Sequence, residues 1–161
     1  MKYSMYIAQE FFSLWGKYEV TNKTGQMIYQ VQGHPALLRS QSIYNAQGAE
    51  VGSIKQQFSV LPKFDIGING RTAGTISSKF RFFHPVLDMN YFHWSVEGNF
   101  FGWNYDVYDR AQHKIAEIRT ELWHLTDHYA IHYEYEKDEL PLLLLALAID
   151  CIQDANQSAA S

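Results

Sequence analysis

Residues 137–157 read KDELPLLLLALAIDCIQDANQ, the most apolar stretch of the chain. From Leu140 to Ile149 every residue is apolar or Pro; Asp150 interrupts, and Cys151 and Ile152 follow. At about 1.5 Å per residue a helix through Ile152 spans roughly 20 Å, short of the roughly 30 Å of a bilayer core. Leu and Ala dominate and β-branched residues are few, which favours a helix over a strand. Asp138 or Glu139 can cap its start, and Pro141 suits the first turn, where no backbone N–H is needed. Wrapped on a helix, Leu142–Ile149 is apolar on every side, and such a helix must be buried on every side. In a small protein that environment is the inside of a shell of strands. The reading is therefore mainly β: a closed antiparallel β-barrel of about twelve strands around one buried C-terminal helix.

The chain of 161 residues suits one domain, expected over residues 1–154, with ANQSAAS at 155–161 as a flexible tail. A hydrophobic share of 47% against 19% charged is a globular composition, and aromatics at 16% lean towards strands. The net charge of −4 argues against nucleic acid as a partner, since that surface calls for basic protein. A single cysteine, Cys151, excludes an internal disulfide and suits a reducing cytoplasm. Gln9 and Glu10 break the apolar start before any cleavage site, so no signal peptide is read, and no transmembrane segment is expected.

Turn signals recur along the remainder: Thr21–Gly25, Tyr44–Gly48, Ile68–Thr72 and Tyr108–Gln112, each between alternating apolar residues. Asn or Asp with Gly at such places marks hairpins. Two internal echoes suggest assembly from related hairpins: Ile54–Asp65 (IKQQFSVLPKFD) with Ile76–Asp88 (ISSKFRFFHPVLD), and Phe11–Val20 (FFSLWGKYEV) with Phe100–Val107 (FFGWNYDV).

The order FFSL, then YEVTNKTGQMIYQVQG, SIYNAQGAEVGSI, WSVEGNFFGWNYDVYDRAQHKIAEI, DHYAIHY and a Leu-rich helix ending at Asp150 resembles the LURP-one-related family over nearly the whole chain. Its bacterial branch holds small cytoplasmic proteins. The resemblance implies the tubby C-terminal fold, a strand barrel around one hydrophobic helix. Relatives of that fold include the phosphoinositide-binding tubby domain and the phospholipid scramblases, an analogy at the level of fold alone.

The polar clusters in the sequence carry little catalytic signal. His124, His128 and His132 are four apart beside Asp127. On a helix they would share a face suited to zinc, but the Tyr-rich alternation reads as strand, a bend at Thr126–Asp127, and strand. Four residues along a strand is roughly 13 Å, too far for one metal. No metal and no cofactor is expected. Glu134 with Glu136, and Asp106 with Asp109, read as solvated strand faces rather than acid–base pairs. GINGRTAG (67–74) matches no phosphate-loop spacing and reads as a hairpin. No nucleophile elbow occurs, and Cys151 reads as a small core residue. His84, Trp94 and Trp103 are candidates for a barrel mouth, but the axle fills the interior and leaves no deep cavity.

The best polar cluster is basic. Lys55, Lys63, Lys79 and Arg81 lie in the two echoing segments, interleaved with Phe58, Phe64, Phe80, Phe82 and Phe83. Convergence on one face would suit an anionic headgroup beside inserted aromatics; the plainer reading is solubilising charge over a Phe core. The expected function is a non-catalytic binding module for an anionic phospholipid or small anionic ligand. The alternatives are an oligomeric interaction protein and, last, an enzyme.

Overall fold

Alternation of apolar and polar residues sets the strands. Lys17–Asn22 alternates exposed and buried positions, with Tyr18 and Val20 facing in. Lys63–Ile68 does the same with Phe64 and Ile66. The computed structural model describes residues 1–8, 17–81, 84–90, 92–99, 104–123 and 126–160. Its strands are β1 (Tyr3–Ala8), β2 (Lys17–Asn22), β3 (Met27–Gly33), β4 (Ser40–Asn45), β5 (Glu50–Gln56), β6 (Lys63–Ile68), β7 (Arg71–Arg81), β8 (His84–Met89), β9 (Trp94–Asn99), β10 (Asn104–Tyr108), β11 (Lys114–Trp123) and β12 (Thr126–Tyr133). A 3₁₀ turn, Glu136–Asp138, leads into the helix α1 (Glu139–Ala160).

The protein is thus mainly β, with one antiparallel sheet and a single C-terminal helix. Consecutive strands pair as hairpins, and β1 is hydrogen-bonded to β12 on one side and β2 on the other. The four expected turns form. Gly25 and Gly48 adopt positive φ (79° and 80°), as do Asn69 and Gly70 (51° and 74°) and Gln112 (63°). Left-handed backbone favours Gly and Asn, which is why these residues mark the turns.

From Leu142 to Ile149 no side chain of α1 has any solvent exposure, and Cys151 and Ile152 follow at 4%. Each buried Leu contributes about 2 kcal/mol from removal of apolar surface from water. The inward residues of the strands, among them Ile7, Val31, Ile54, Ile76 and Val107, form one cluster with the helix. Gly52 is where the helix begins to pack on β5: a Cβ there would stand 3.2 Å from both Leu140 and Ile43. Polar contacts hold both ends of α1. Tyr29 (2.8 Å) and Tyr133 donate hydrogen bonds to Glu139 at its start. Gln153 donates to the Tyr105 hydroxyl at 3.1 Å, and Arg39 reaches Asp150 and Asp154 near its end.

The helix runs through Ala160; Ala155, Ala159 and Ala160 favour it, and no Gly or Pro stops it. One reading of the sequence shifts. The bend expected at Thr126–Asp127 is strand: Trp123 pairs with Thr126 and Leu122 with Asp127, while residues 124 and 125 lie outside the described residues.

Candidate functional site

Antiparallel succession puts alternate connections at opposite ends of the sheet. The β3–β4, β5–β6 and β7–β8 connections share one end, and the last turns of α1 point there, because Arg39 of the β3–β4 loop holds Asp150 and Asp154. The loops of residues 34–39 and 57–62 are joined: the Gln56 N–H donates to the Arg39 carbonyl at 2.8 Å, and the Arg39 N–H donates to Gln56 Oε1 at 3.3 Å.

These joined loops hold large apolar side chains in water. Leu37 is 89% exposed, Phe58 is 79% exposed, and Val60 is fully exposed. Large apolar groups clustered in solvent mark a surface meant to be covered. The sequence signalled them only in part: Phe58 and Phe64 sit in the same motif, yet Phe64 is buried in the core on β6 and Phe58 is not.

Behind the loops stand the predicted cations. Lys55 on β5 is exposed and pairs across the ladder with Asp65; Lys63 opens β6, is half-buried, and pairs with Ser77. Both fall between inward residues, Lys55 after Ile54 and Lys63 before Phe64, so they share the outer face. On β7, Lys79 and Arg81 follow Ser77 at every second position, opposite Val86 and His84. Their backbones thus join the same row, and their side chains lie outside the described residues. So does the side chain of Phe80, while Phe82 and Phe83 are not described at all. The register brings Lys55, Lys63 and the Lys79–Arg81 segment onto three neighbouring strands, with Asp65 among them and Asp88 opposite Ser77.

Trp94 is buried, with its ring 5.0 Å from that of Phe92; Trp103 and the His84 side chain lie outside the described residues. His124 is likewise outside, as is the side chain of His128. His132 sits between Ser4 Oγ, 2.8 Å from Nδ1, and Glu121 Oε1, 2.6 Å from Nε2. This Ser–His–Glu chain has the order of a nucleophilic triad. It lies across the faces of β1, β12 and β11. Residues 4 and 132 are too far apart in sequence for any motif to have found it. Among the described residues no group of three His, Cys, Asp or Glu is placed to hold a metal ion. Asp106 is ion-paired with Arg119 (2.5 Å) and Lys114 (3.0 Å), while Asp109 accepts the His113 N–H in the β10–β11 turn. Glu134 faces the N-terminal amine at 3.9 Å. The Cys151 thiol is pushed up to about 12, chiefly by burial, so it stays protonated at neutral pH.

An antiparallel sheet carrying one C-terminal helix whose apolar run, Leu142–Ile152, is buried is the class defined by this architecture. The LURP-one-related family model matches residues 3–150, and the chain belongs to that family. The X-ray structure of a protein from Arabidopsis thaliana is similar in fold, with a TM-score of 0.64 at 12% identity, covering 96% of this chain and 91% of that one. No curated protein sequence matches the chain. Among the described residues no helix is long and apolar enough to cross a membrane.

Proposed function

We propose that the protein is a non-catalytic module that docks on anionic phospholipid surfaces in the cytoplasm. It would do so through the end of the sheet that carries the 34–39 and 57–62 loops. The scaffold in this reading is a tubby C-terminal-like barrel, closed by the β1–β12 pairing around α1, in a member of the family's bacterial branch. The observation that carries it is the pair of joined loops that hold Leu37, Phe58 and Val60 in water in front of Lys55 and Lys63. Apolar side chains at loop tips can enter the headgroup boundary. Each basic residue behind them adds about 1 kcal/mol against an anionic leaflet. Lys79 and Arg81, on the next strand, extend the row by register.

The test is vesicle sedimentation of the full chain at low salt. Vesicles rich in phosphatidylserine should pull the protein down, and pure phosphatidylcholine should not. Binding should weaken with added salt and be lost in Phe58→Asp/Val60→Asp and in Lys55→Glu/Lys63→Glu. Absence of sedimentation on anionic vesicles at low salt removes the reading. If the same Phe58→Asp/Val60→Asp variant instead converts an oligomer to a monomer in light scattering, the loops are a protein interface.

A further inference from the structure

The opposite end of the sheet has its own feature. The β6–β7 hairpin turns through Asn69 and Gly70, and just beyond it the ladder slips: Gly67 pairs with Thr72 and Ile66 with Gly74. Ala73 is the extra residue of a bulge, a device that re-aims side chains beside sites. The β8–β9 connection supplies Phe92, braced on Trp94, and the crossing into α1 supplies Lys137, Leu140 and Pro141. Between them opens a groove of about 510 Å³. That volume falls within the range of small-ligand sites.

The lining has a definite polarity. Ile68, Ala73, Phe92, Leu140 and Pro141 make apolar walls, and among the described residues the charged lining groups are Arg71 and Lys137. Among the described residues no carboxylate lines it, in a chain whose net charge is −4. Among the described residues neither Arg71 nor Lys137 has an ion-pair partner; Lys137 Nζ rests 5.4 Å from the Tyr135 ring centre, and its charge also acts on the carboxyl of the adjacent Asp138. A guanidinium offers a planar donor fork that fits an anionic oxygen pair, and a nearby ammonium adds a point charge.

We propose that this groove binds a small amphiphile with one anionic head and a short apolar body, the head between Arg71 and Lys137 and the body against Phe92, Leu140 and Ala73. An apolar body without a charge would leave both cations unanswered. An anion without a body would leave the walls in water. The site is separate from the loop end that faces lipid surfaces, and the two stand or fall independently.

Octanoate is the probe, titrated into the ¹⁵N-labelled full chain below its micelle concentration, with acetate and octanol as the arms that lack the tail and the charge. Octanoate should give saturable shifts at the amides of Asn69–Ala73 and Phe92. Acetate and octanol should bind at least about tenfold more weakly, and Arg71→Ala/Lys137→Ala should weaken octanoate by about tenfold or more, since the variant removes both charge-assisted hydrogen-bond donors. Both residues are exposed, so the variant keeps its fold, checked by the rest of the spectrum. Lys55→Glu/Lys63→Glu should bind octanoate unchanged. Shifts that never saturate or that fall elsewhere, octanol binding as well as octanoate, or a double variant of undiminished affinity each overturn the proposal.

Discussion

The guanidinium of Arg39, in the loop between β3 and β4, stands 3.7 Å from the carboxyl of Asp150 on the buried helix. It pairs more closely with Asp154, which is more exposed. Asp150 is therefore left with a shared counter-ion in a dry place, beside the buried Tyr18 phenol and the Cys151 thiol. Burial first, and the Asp154 charge second, push its carboxyl from 3.8 up to about 8, and Arg39 offsets only part of that. The folded state thus holds a proton that the unfolded chain releases near pH 4. Its contribution is complete below roughly pH 4 and declines as pH rises towards 8, by at most about 1.4 kcal/mol per pH unit. Asp150→Asn should remove this decline. Urea midpoints of the two proteins should converge at low pH, with the variant the more stable at pH 8 and above. Parallel midpoint-against-pH curves would show that Asp150 is already ionised in the fold.

A second network runs the other way. Asp106 and Glu117 face each other directly on β10 and β11, an unfavourable pairing of like charges. Arg119 and Lys114 each contact both, with Lys114 Nζ 2.8 Å from Glu117. Asp106 is held below its ordinary value despite partial burial, by hydrogen bonds from Arg119 and Lys114; Glu117 is held down first by Lys114. Lowered carboxyls stabilise the fold above their unfolded values and cease to as pH falls through the folded ones. Arg119→Ala should therefore cost on the order of 1 kcal/mol at neutral pH and progressively less at acid pH, as the carboxylates take up protons. Thermal unfolding at the two pH values measures the difference. An equal loss at both would mean that the side chain acts through packing, or through its 2.6 Å hydrogen bond to the Tyr105 carbonyl, rather than through charge.

What the sequence made legible follows from where the physics is local. The Asn–Gly and Asp-containing turns announce themselves because left-handed backbone is a property of single residues. The run Leu142–Ile149 announces burial because no helix can show so much Leu to water. The contacts that hold this helix are not all local: Tyr29 reaches Glu139, and Arg39 reaches Asp150, across long stretches of chain. Nothing in the motif QFSVLPKF states that β5 ends at Gln56 and β6 starts at Lys63, yet that boundary alone puts Phe58 in water and Phe64 in the core. The groove beside α1 was equally hidden, since its Arg71, Phe92 and Lys137 come from three separate connections.

Gly98 gives a sharp test of the β9–β10 register. It pairs with Tyr105, and a Cβ placed on it would lie 2.2 Å from the Asn104 carbonyl oxygen and 2.7 Å from the Tyr105 ring. A backbone oxygen cannot swing aside, so Gly98→Ala must displace a strand. At Gly25 the same substitution meets open space and strains only the positive φ of 79°. Gly98→Ala should cost well above 2 kcal/mol or abolish soluble expression, against about 1 kcal/mol for Gly25→Ala. Equal melting temperatures for the two variants would contradict the pairing.

Burial of α1 and exposure of the loop tips make opposite demands on two apolar side chains, and one experiment reads both. Leu144 has no exposure and belongs to the core cluster formed with the inward strand residues, so truncation removes its transfer free energy and leaves a cavity. Leu144→Ala should cost about 2–5 kcal/mol. Phe58, larger and more apolar, stands in water. Phe58→Ser should change stability by no more than about 0.5 kcal/mol, because the folded state never removed it from solvent. Urea unfolding of the two variants against the parent protein, with slopes compared to confirm equal surface release, sets one number beside the other. A large loss for Phe58→Ser would mean that its ring packs within the chain, and the proposed lipid-docking surface would lose its main apolar contact.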